Sequence, residues 1–515
     1  MKPPEYALND PIAAIATGFV PSALGIVRTS GAGCIDLLMP IFSRPNALRA
    51  AAGYTLVHGW LMKPVENGDD ADAGIESNAE NTRKYQRIDE VMIAVYRAPK
   101  SFTGEDSFEI TCHGGPATVL AVYRLLLSAG FRAAERGEFT FRSFANGKTD
   151  LSRAEAIREI IEAQTDTARS HAADRLSGSI TEEIYAIKQL IFTALATLEV
   201  EIEYPEDEET TKGAFDTPRL EEACTRLTRL EASWQTEKMY RDGVRIVLAG
   251  KTNAGKSSLF NMLLKEDRAI VSDIHGTTRD WLEASADFNG IPVRLFDTAG
   301  LRKATDKIEA EGVERSRILA SDADIVFYLV DATLGLDDDD RFFLDGRKTK
   351  ENFAPVSEAE VLENDLADSK TGLPPVILLW NKADKEDALP CPGMSEFPAP
   401  HLYSICALSA KTGLGIPELI ATVTGILLGP DTVSNSSAVH SANGNVGLGT
   451  EHQKRAVQHA HTAIRHAFTA ASAGFPFDAI AQDLEDALDA LGEITGETTP
   501  QNILDAIFSE FCVGK

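Results

Sequence analysis

Two hydrophobic patterns alternate along this chain. One is the short apolar run bounded by turn residues, the mark of a strand; the other places apolar residues every three to four positions, the mark of a helix. Residues 1–145 mix the two, with strands predicted over 25–28, 89–96 and 107–112 and a helix over 118–128, an α+β module. The polar stretch 66–84 reads as a solvated loop. Residues 146–240 are predicted helical, with Leu151, Ala154, Ile157, Ile160, Ile161, Ala168, Ala172 and Leu176 at helical spacing. Ser152 and Glu155 form either a capping box or the first turn just inside the helix. The acidic run 201–209, broken by Pro205, predicts a bend between helices and a solvated charge run.

From 241 to 429 strands alternate with helices, as in a doubly wound sheet. The predicted strands are 245–249, 292–297, 324–330, 375–380 and 402–407, and the acidic segment 335–372 reads as an exposed insertion. The Ser/Asn/Gly-rich stretch within 430–449 reads as a flexible linker. Residues 450–515 return to helix, with apolar faces at Ala456, Val457, Ala460, Ile464, Ala467 and Phe468, then Leu484, Ala487, Leu488 and Leu491, then Ile503, Leu504, Ile507, Phe508 and Phe511. The two helical regions are expected to share one bundle, with the strand-rich region inserted between them.

Composition narrows this only slightly. At 515 residues the chain exceeds one core, so roughly two to four domains are expected. No apolar run reaches the roughly 18 residues of a membrane span, and residues 1–17 resemble neither a signal nor a transit peptide. Six scattered cysteines without a C-x-x-C pair fit a reducing compartment and argue against both a disulfide framework and a zinc site. A cytoplasmic location is expected, and the choice between a bacterial and an organellar host stays open, tilted toward the bacterial. The net charge of −28 should repel nucleic acid, unless a basic surface is segregated or a partner supplies one.

Chemistry enters at residues 250–257, Gly-Lys-Thr-Asn-Ala-Gly-Lys-Ser, the spacing of a phosphate-binding P-loop directly after the β-branched run 244–248. Backbone N–H groups of such a loop and the helix start behind it surround phosphates. Here Asn253, Ala254, Gly255, Lys256, Ser257 and Ser258 would do so, with Lys256 reaching the β- and γ-phosphates and Ser257 ligating Mg²⁺. Asp297 of Asp297-Thr298-Ala299-Gly300 is placed to meet Mg²⁺ through water, and the Gly300 N–H to sense a γ-phosphate. Asp384 of Asn381-Lys382-Ala383-Asp384 can accept from guanine N1–H and N2–H, which adenine cannot offer, and Ser409-Ala410-Lys411 would back the base. Between the P-loop and Asp297 lies Gly276-Thr277-Thr278, whose Thr278 can complete the Mg²⁺ shell. These matches in order predict a Ras-like guanine-nucleotide domain. After Gly300, however, stands Leu301 where a Ras-type GTPase has a water-orienting Gln, so catalytic help must come from elsewhere.

The chain resembles the MnmE (TrmE) family of tRNA-modification GTPases. The resemblance rests on the P-loop with Asn253, on Asp273-Ile274-His275-Gly276-Thr277-Thr278-Arg279-Asp280 and on residues 297–302. Further matches are Thr103-Gly104-Glu105-Asp106, His113-Gly114-Gly115-Pro116, Arg136-Gly137-Glu138-Phe139-Thr140, Lys148-Thr149-Asp150-Leu151, residues 491–497 and the final Phe511-Cys512-Val513-Gly514-Lys515. The resemblance therefore runs nearly end to end. It implies a multidomain α/β protein with an N-terminal α+β folate-binding and dimerisation domain, a helical bundle domain and an inserted P-loop G domain. It also implies G domains activated by K⁺-dependent dimerisation, with K⁺ held by Asn253, Ser272, Ile274 and Thr277. Ser272 replaces the family's usual Thr. The stretch Ser272 to Thr278, including Asp273, His275 and Gly276, would join the GTP site. Glu309 alone reads as a charge at a helix start; the resemblance implies that it orients the attacking water.

By the same resemblance Arg28, Glu105, Lys148 and Lys515 would bind a 5-formyl- or methylene-tetrahydrofolate, and Cys512 is functionally important. A homodimer is implied, joined by an MnmG-type FAD/NADH-dependent subunit into a heterotetramer, with tRNA and GTP as further partners and no membrane. The expected function is GTP hydrolysis coupled to adding an aminomethyl or carboxymethylaminomethyl group to C5 of the wobble uridine of certain tRNAs. The alternative is a regulatory or ribosome-assembly GTPase, a nucleotide-controlled binding switch that would share every G-domain motif.

Overall fold

The computed structural model describes residues 10–65, 76–77, 84–203, 215–265, 282–297, 323–344, 374–397, 402–428 and 446–514. Its contacts divide the chain into two compact units. One comprises Met1–Arg158, Arg175–Glu231 and Thr450–Lys515, the other Glu159–Asp174 and Ala232–Gly449. Among the described residues no helix is long and apolar enough to cross a membrane.

The first unit is built on a sheet of β1 (Ile12–Ile15), β2 (Leu24–Ser30), β3 (Thr55–Val65), β4 (Glu76–Ser77), β5 (Lys84–Tyr96), β6 (Ser107–His113) and β7 (Arg132–Ala133). The order is β3-β5-β6-β2-β1-β7, with β4 beside β5. Only the β1–β7 pair is parallel. Alternation along β6 turns Phe108, Ile110 and Cys112 to one face, where Val119, Val122, Leu125 and Leu126 of helix Pro116–Ser128 cover them. The opposite face carries Arg28 and Glu109, paired in register across β2 and β6. The sequence pattern did not predict β1, β3, β4 or β7. Three of these are short, and β3 is an edge strand carrying Gly59 and Pro64, residues that weaken a strand signal yet are tolerated there.

The helical part of this unit includes Ser179–Glu203, Glu451–Ala473, Phe477–Thr495 and Gln501–Ser509. Helix Leu151–Glu162 begins after Asp150, whose carboxylate accepts from Arg153 N at 2.8 Å, so Asp150 is the cap and Ser152 lies inside the first turn. Leu151 and Ala154 pack with Phe141, Leu504, Phe508 and Phe511. Three expectations need correction. Ile161 is 46% and Leu176 36% exposed, because the faces these helices bury are narrower than the apolar spacing suggested. Glu201 is buried rather than solvated, since helix Ser179–Glu203 runs through it.

The second unit holds a six-stranded sheet: β8 (Val244–Gly250), β9 (Leu282–Phe288), β10 (Ile291–Asp297), β11 (Ile325–Asp331), β12 (Val376–Asn381) and β13 (Leu402–Ala407). Its order is β13-β12-β11-β8-β10-β9, parallel except for β9 against β10. β8, β10, β11 and β12 are nearly all apolar, as strands covered on both faces must be. The unpredicted β9 is an edge strand of small and acidic residues, Leu-Glu-Ala-Ser-Ala-Asp-Phe, which gives little apolar signal. The expectation of an exposed insertion over 335–372 fails in its first part. Helix Asp338–Leu344 packs here, with Asp340 and Leu344 buried.

Candidate functional site

β8 lies between β10 and β11, so its carboxyl end opens at the middle of a parallel sheet, where open α/β folds bind ligands. The loop leaving it is built from unusual backbone. Gly250 has φ +121°, and a Cβ there would fall 2.3 Å from Leu329 O on β11. Gly255 has φ +104°, and its Cβ would lie 2.1 Å from Asn381 Nδ2. Asn253 takes φ 63° without being glycine. These turns deliver the chain to helix Lys256–Leu263, whose N-terminus can face an anion. Ala254 is buried, while Asn253 and Ser258 are exposed.

The Lys256 ammonium donates to Gly250 O and Lys251 O, each at 2.7 Å. Those carbonyls hold it at the mouth of the loop, where phosphate oxygens can replace them. Ser257 Oγ donates to Asp297 Oδ2 at 2.9 Å, joining the helix start to the end of β10. A hydroxyl and a carboxylate at this spacing are the hard oxygen donors that Mg²⁺ selects. Ser257 fits as a ligand and Asp297, 4% exposed, as the carboxylate behind it.

Asn381 ties the two ends of the site together. Its Nδ2 donates to Ala254 O at 2.7 Å and its Oδ1 accepts from Ala410 N at 2.9 Å. Phosphate loop and base loop are thus fixed to one side chain that is 2% exposed. Lys382, at φ 65°, pairs with Asp331 of β11, and Ala383 N donates to Leu408 O at 3.1 Å. Burial pushes the Asp331 carboxyl up, but hydrogen bonds from Lys382 and Thr333 outweigh it and leave it below its ordinary value. Ser409 is fully buried, its Oγ accepting from Lys411 N at 3.3 Å and Thr412 N at 3.2 Å. With that frame set, Asp384 remains exposed and free to accept from a base. Ser272, Asp273, Ile274, His275, Gly276, Thr277, Thr278, Thr298, Ala299, Gly300, Leu301 and Glu309 lie outside the described residues.

The other predicted site gathers on the first unit's sheet. Arg28 Nη1 donates to Gly514 O at 3.1 Å, and its guanidinium lies 4.7 Å from the Phe139 ring centroid and 5.1 Å from that of Phe102. Burial pulls the guanidinium below its ordinary pKa, against the opposing charge of Glu109. Two residues on, Ser30 Oγ donates to Glu105 Oε2 at 2.7 Å, so Arg28 and the Ser30 that holds Glu105 share one face of β2. Lys148 Nζ donates to Pro99 O at 3.1 Å, and its aliphatic stem lies beside Gly104. Gly137 N donates to Cys512 O at 3.4 Å, Val513 bridges Arg136, and the Cys512 side chain is exposed. The structure thus brings Arg28, Glu105, Lys148 and residues 512–514 together; Lys515 lies outside the described residues.

The sequence reading missed what holds Glu105. Arg142, with no side-chain exposure, donates to Glu105 Oε2 at 3.1 Å and to Glu138 Oε1 at 2.9 Å. Glu138, also fully buried, accepts from Arg132 Nη1 at 3.1 Å and from Glu135 N at 2.9 Å. The available signal was the i, i+4 spacing of Glu138 and Arg142 between phenylalanines, a charge pair on an otherwise apolar helix. The brace role of Asn381 left no such mark, because it depends on loops far apart in sequence.

Comparison with known proteins covers nearly the whole chain. A model for the MnmE helical domain matches residues 151–512, and one for the GTP-binding protein TrmE N-terminus matches 11–148. The chain is 48% identical to the tRNA modification GTPase MnmE of Treponema denticola over 99% of both chains. It is 44% identical to that of Treponema pallidum over the full length of both, and 35% identical to that of Borrelia recurrentis over 99% of both. A P-loop sheet, an N-terminal α+β domain and a helical domain, with family models over residues 11–148 and 151–512 and relatives matched end to end, place this chain in the MnmE family of tRNA modification GTPases.

Proposed function

We propose that this GTP hydrolase couples nucleotide turnover to modification of C5 of the wobble uridine in certain tRNAs, drawing a one-carbon unit from a folate. Domains at 1–145, 146–240 with 450–515, and 241–429 carry folate binding, the helical bundle and GTP hydrolysis, with 430–449 as the linker. Lys256 exchanges its two carbonyl partners for β- and γ-phosphate oxygens, and Asp384 reads guanine N1–H and N2–H. Ser257 and Thr278 hold Mg²⁺, which neutralises charge on the transferring phosphoryl group. K⁺ on Asn253, Ser272, Ile274 and Thr277 supplies the positive charge that no P-loop arginine provides. Glu309 takes the water-orienting role that Leu301 cannot.

The observation that carries the reading over a plain nucleotide switch is the seating of residues 512–514 against Arg28. A binding switch has no use for a chain segment sealed over a cation beside a braced carboxylate. A site for an anionic, hydrogen-bonding ligand such as a tetrahydrofolate does, with Arg28, Lys148 and Lys515 facing its carboxylates and Glu105 its pterin donors. The net charge of −28 fits a chain that acts in a homodimer with an FAD/NADH-dependent MnmG-type subunit, in the cytoplasm, where the partner supplies much of the basic surface for tRNA. The test pairs GTPase rates in KCl and NaCl with calorimetric titration of 5-formyl-tetrahydrofolate into the wild-type chain and Arg28→Ala. K⁺ stimulation with folate binding that Arg28→Ala abolishes supports the proposal. Neither effect, or tight salt-resistant tRNA binding by the isolated chain, favours the regulatory or ribosome-assembly GTPase.

A further inference from the structure

Lys251 stands at the first variable position of the phosphate loop, yet its side chain leaves the loop. Its ammonium pairs with Asp337 and reaches Asp340 Oδ2 at 3.4 Å. Lys251 and Asp337 are partly open to solvent, whereas the Asp340 side chain is 4% exposed. A carboxylate so buried needs partners, and its contacts cap its own helix and tie that helix to β11 and to the phosphate loop. Oδ1 accepts from Tyr328 Oη on β11 at 2.8 Å, and Oδ2 accepts from Asp337 N at 3.2 Å. Asp337 Oδ1 accepts in return from Asp340 N at 3.0 Å, a reciprocal cap on helix Asp338–Leu344. The Tyr328 ring stacks on Phe343 of the same helix at 4.3 Å and 17°.

This assembly bears directly on the phosphate site. Lys251 O is one of the two carbonyls that hold Lys256 Nζ, and Ala254 N donates to it at 3.4 Å. The loop is therefore fixed at both ends: Asn381 anchors Ala254, and the Asp337–Asp340 pair anchors Lys251. We infer that Asp340 is a positioning residue of the nucleotide site, holding the Lys251 side chain so that the start of the phosphate loop keeps its shape and bound guanine nucleotide leaves slowly. The same pairing neutralises Lys251, so Lys256 is the loop cation left to meet the phosphates.

The test measures dissociation of mant-GDP by stopped-flow, together with steady-state GTPase kinetics, for Asp340→Asn, Lys251→Met, the double variant and Lys251→Arg. Each single variant is expected to speed mant-GDP release by up to about fivefold, the upper end of what a partly exposed ion pair contributes. KM for GTP should rise in step, with the loss falling on KM rather than kcat. The double variant should release no faster than Lys251→Met alone, because removing Lys251 already removes the contact that Asp340→Asn weakens, and Lys251→Arg should keep release slow. Release rates equal to wild type, or single effects that multiply in the double variant, overturn the inference. So does an Asp340→Asn that lowers the nucleotide-free melting temperature without changing release. Lys251→Met alters a partly exposed side chain, so it reports on the latch even if Asp340→Asn fails to fold.

Discussion

Replacing Asn381 by alanine should disable the nucleotide site by releasing the backbone of both the phosphate loop and the base loop. The wild-type amide makes two hydrogen bonds, to Ala254 O and from Ala410 N, in a place where Asn381, Ala254 and Ala410 are at most 5% exposed. Alanine leaves one buried acceptor and one buried donor unpaired, at roughly 1–3 kcal/mol each. Some water can enter the space the amide vacates, so the lower half of that range is the better guide, about 3 kcal/mol in all. If the loss falls on the bound state, GTP affinity should drop about a hundredfold; if it falls on the fold, the nucleotide-free melting temperature should drop by several degrees. Titration with mant-GTP and thermal unfolding of nucleotide-free protein measure the two shares. Asp384→Ala is the control. Its side chain is exposed, so it should cost guanine affinity and discrimination against ATP while leaving the melting temperature alone. An Asn381→Ala protein within threefold of wild type in GTP affinity, with unchanged melting, would falsify the brace argument.

Other outcomes follow from the same geometry. Arg142→Met should destabilise the first unit by roughly 1–3 kcal/mol, because it strips one donor from the fully buried Glu138 carboxylate, which Arg132 still pairs; an unchanged urea unfolding curve contradicts this. Asp331 has a lowered folded-state pKa, so the stabilisation it gives is complete at neutral pH and fades as pH falls below the ordinary carboxylate range. Asp331→Asn should therefore flatten the acid limb of the G domain's melting curve, and an unchanged limb counts against the Lys382 pair. Burial pushes the Cys34 thiol up to about 12 and Cys112 to about 11, whereas Cys512 is exposed. Iodoacetamide at pH 8 should label Cys512 in the native protein and spare the other two, read by peptide mass mapping; native labelling of Cys34 refutes it.

The G domain was readable because its chemistry is local. A glycine loop after an apolar strand, an Asp at the end of another and Asn-Lys-Ala-Asp at the end of a third each carry their meaning within a few residues, and β8, β10, β11, β12 and β13 appear where apolar runs predicted them. Edge strands β3 and β9 escaped because an edge needs neither continuous apolar character nor freedom from glycine, proline and acids. The acidic sequence around Asp340 read as solvated, since composition reports charge but not which carboxylate finds a Tyr and a Lys to bury against. The sequence alone determined that the chain is a GTP hydrolase of this family, built around a P-loop sheet. Tertiary structure alone decided which groups brace one another: Asn381 across 127 residues to Ala254, Arg142 behind Glu105, the Gly514 carbonyl on Arg28. Such contacts join positions with no common period in the chain, so only the closed fold brings donor to acceptor and makes burial the force that fixes them.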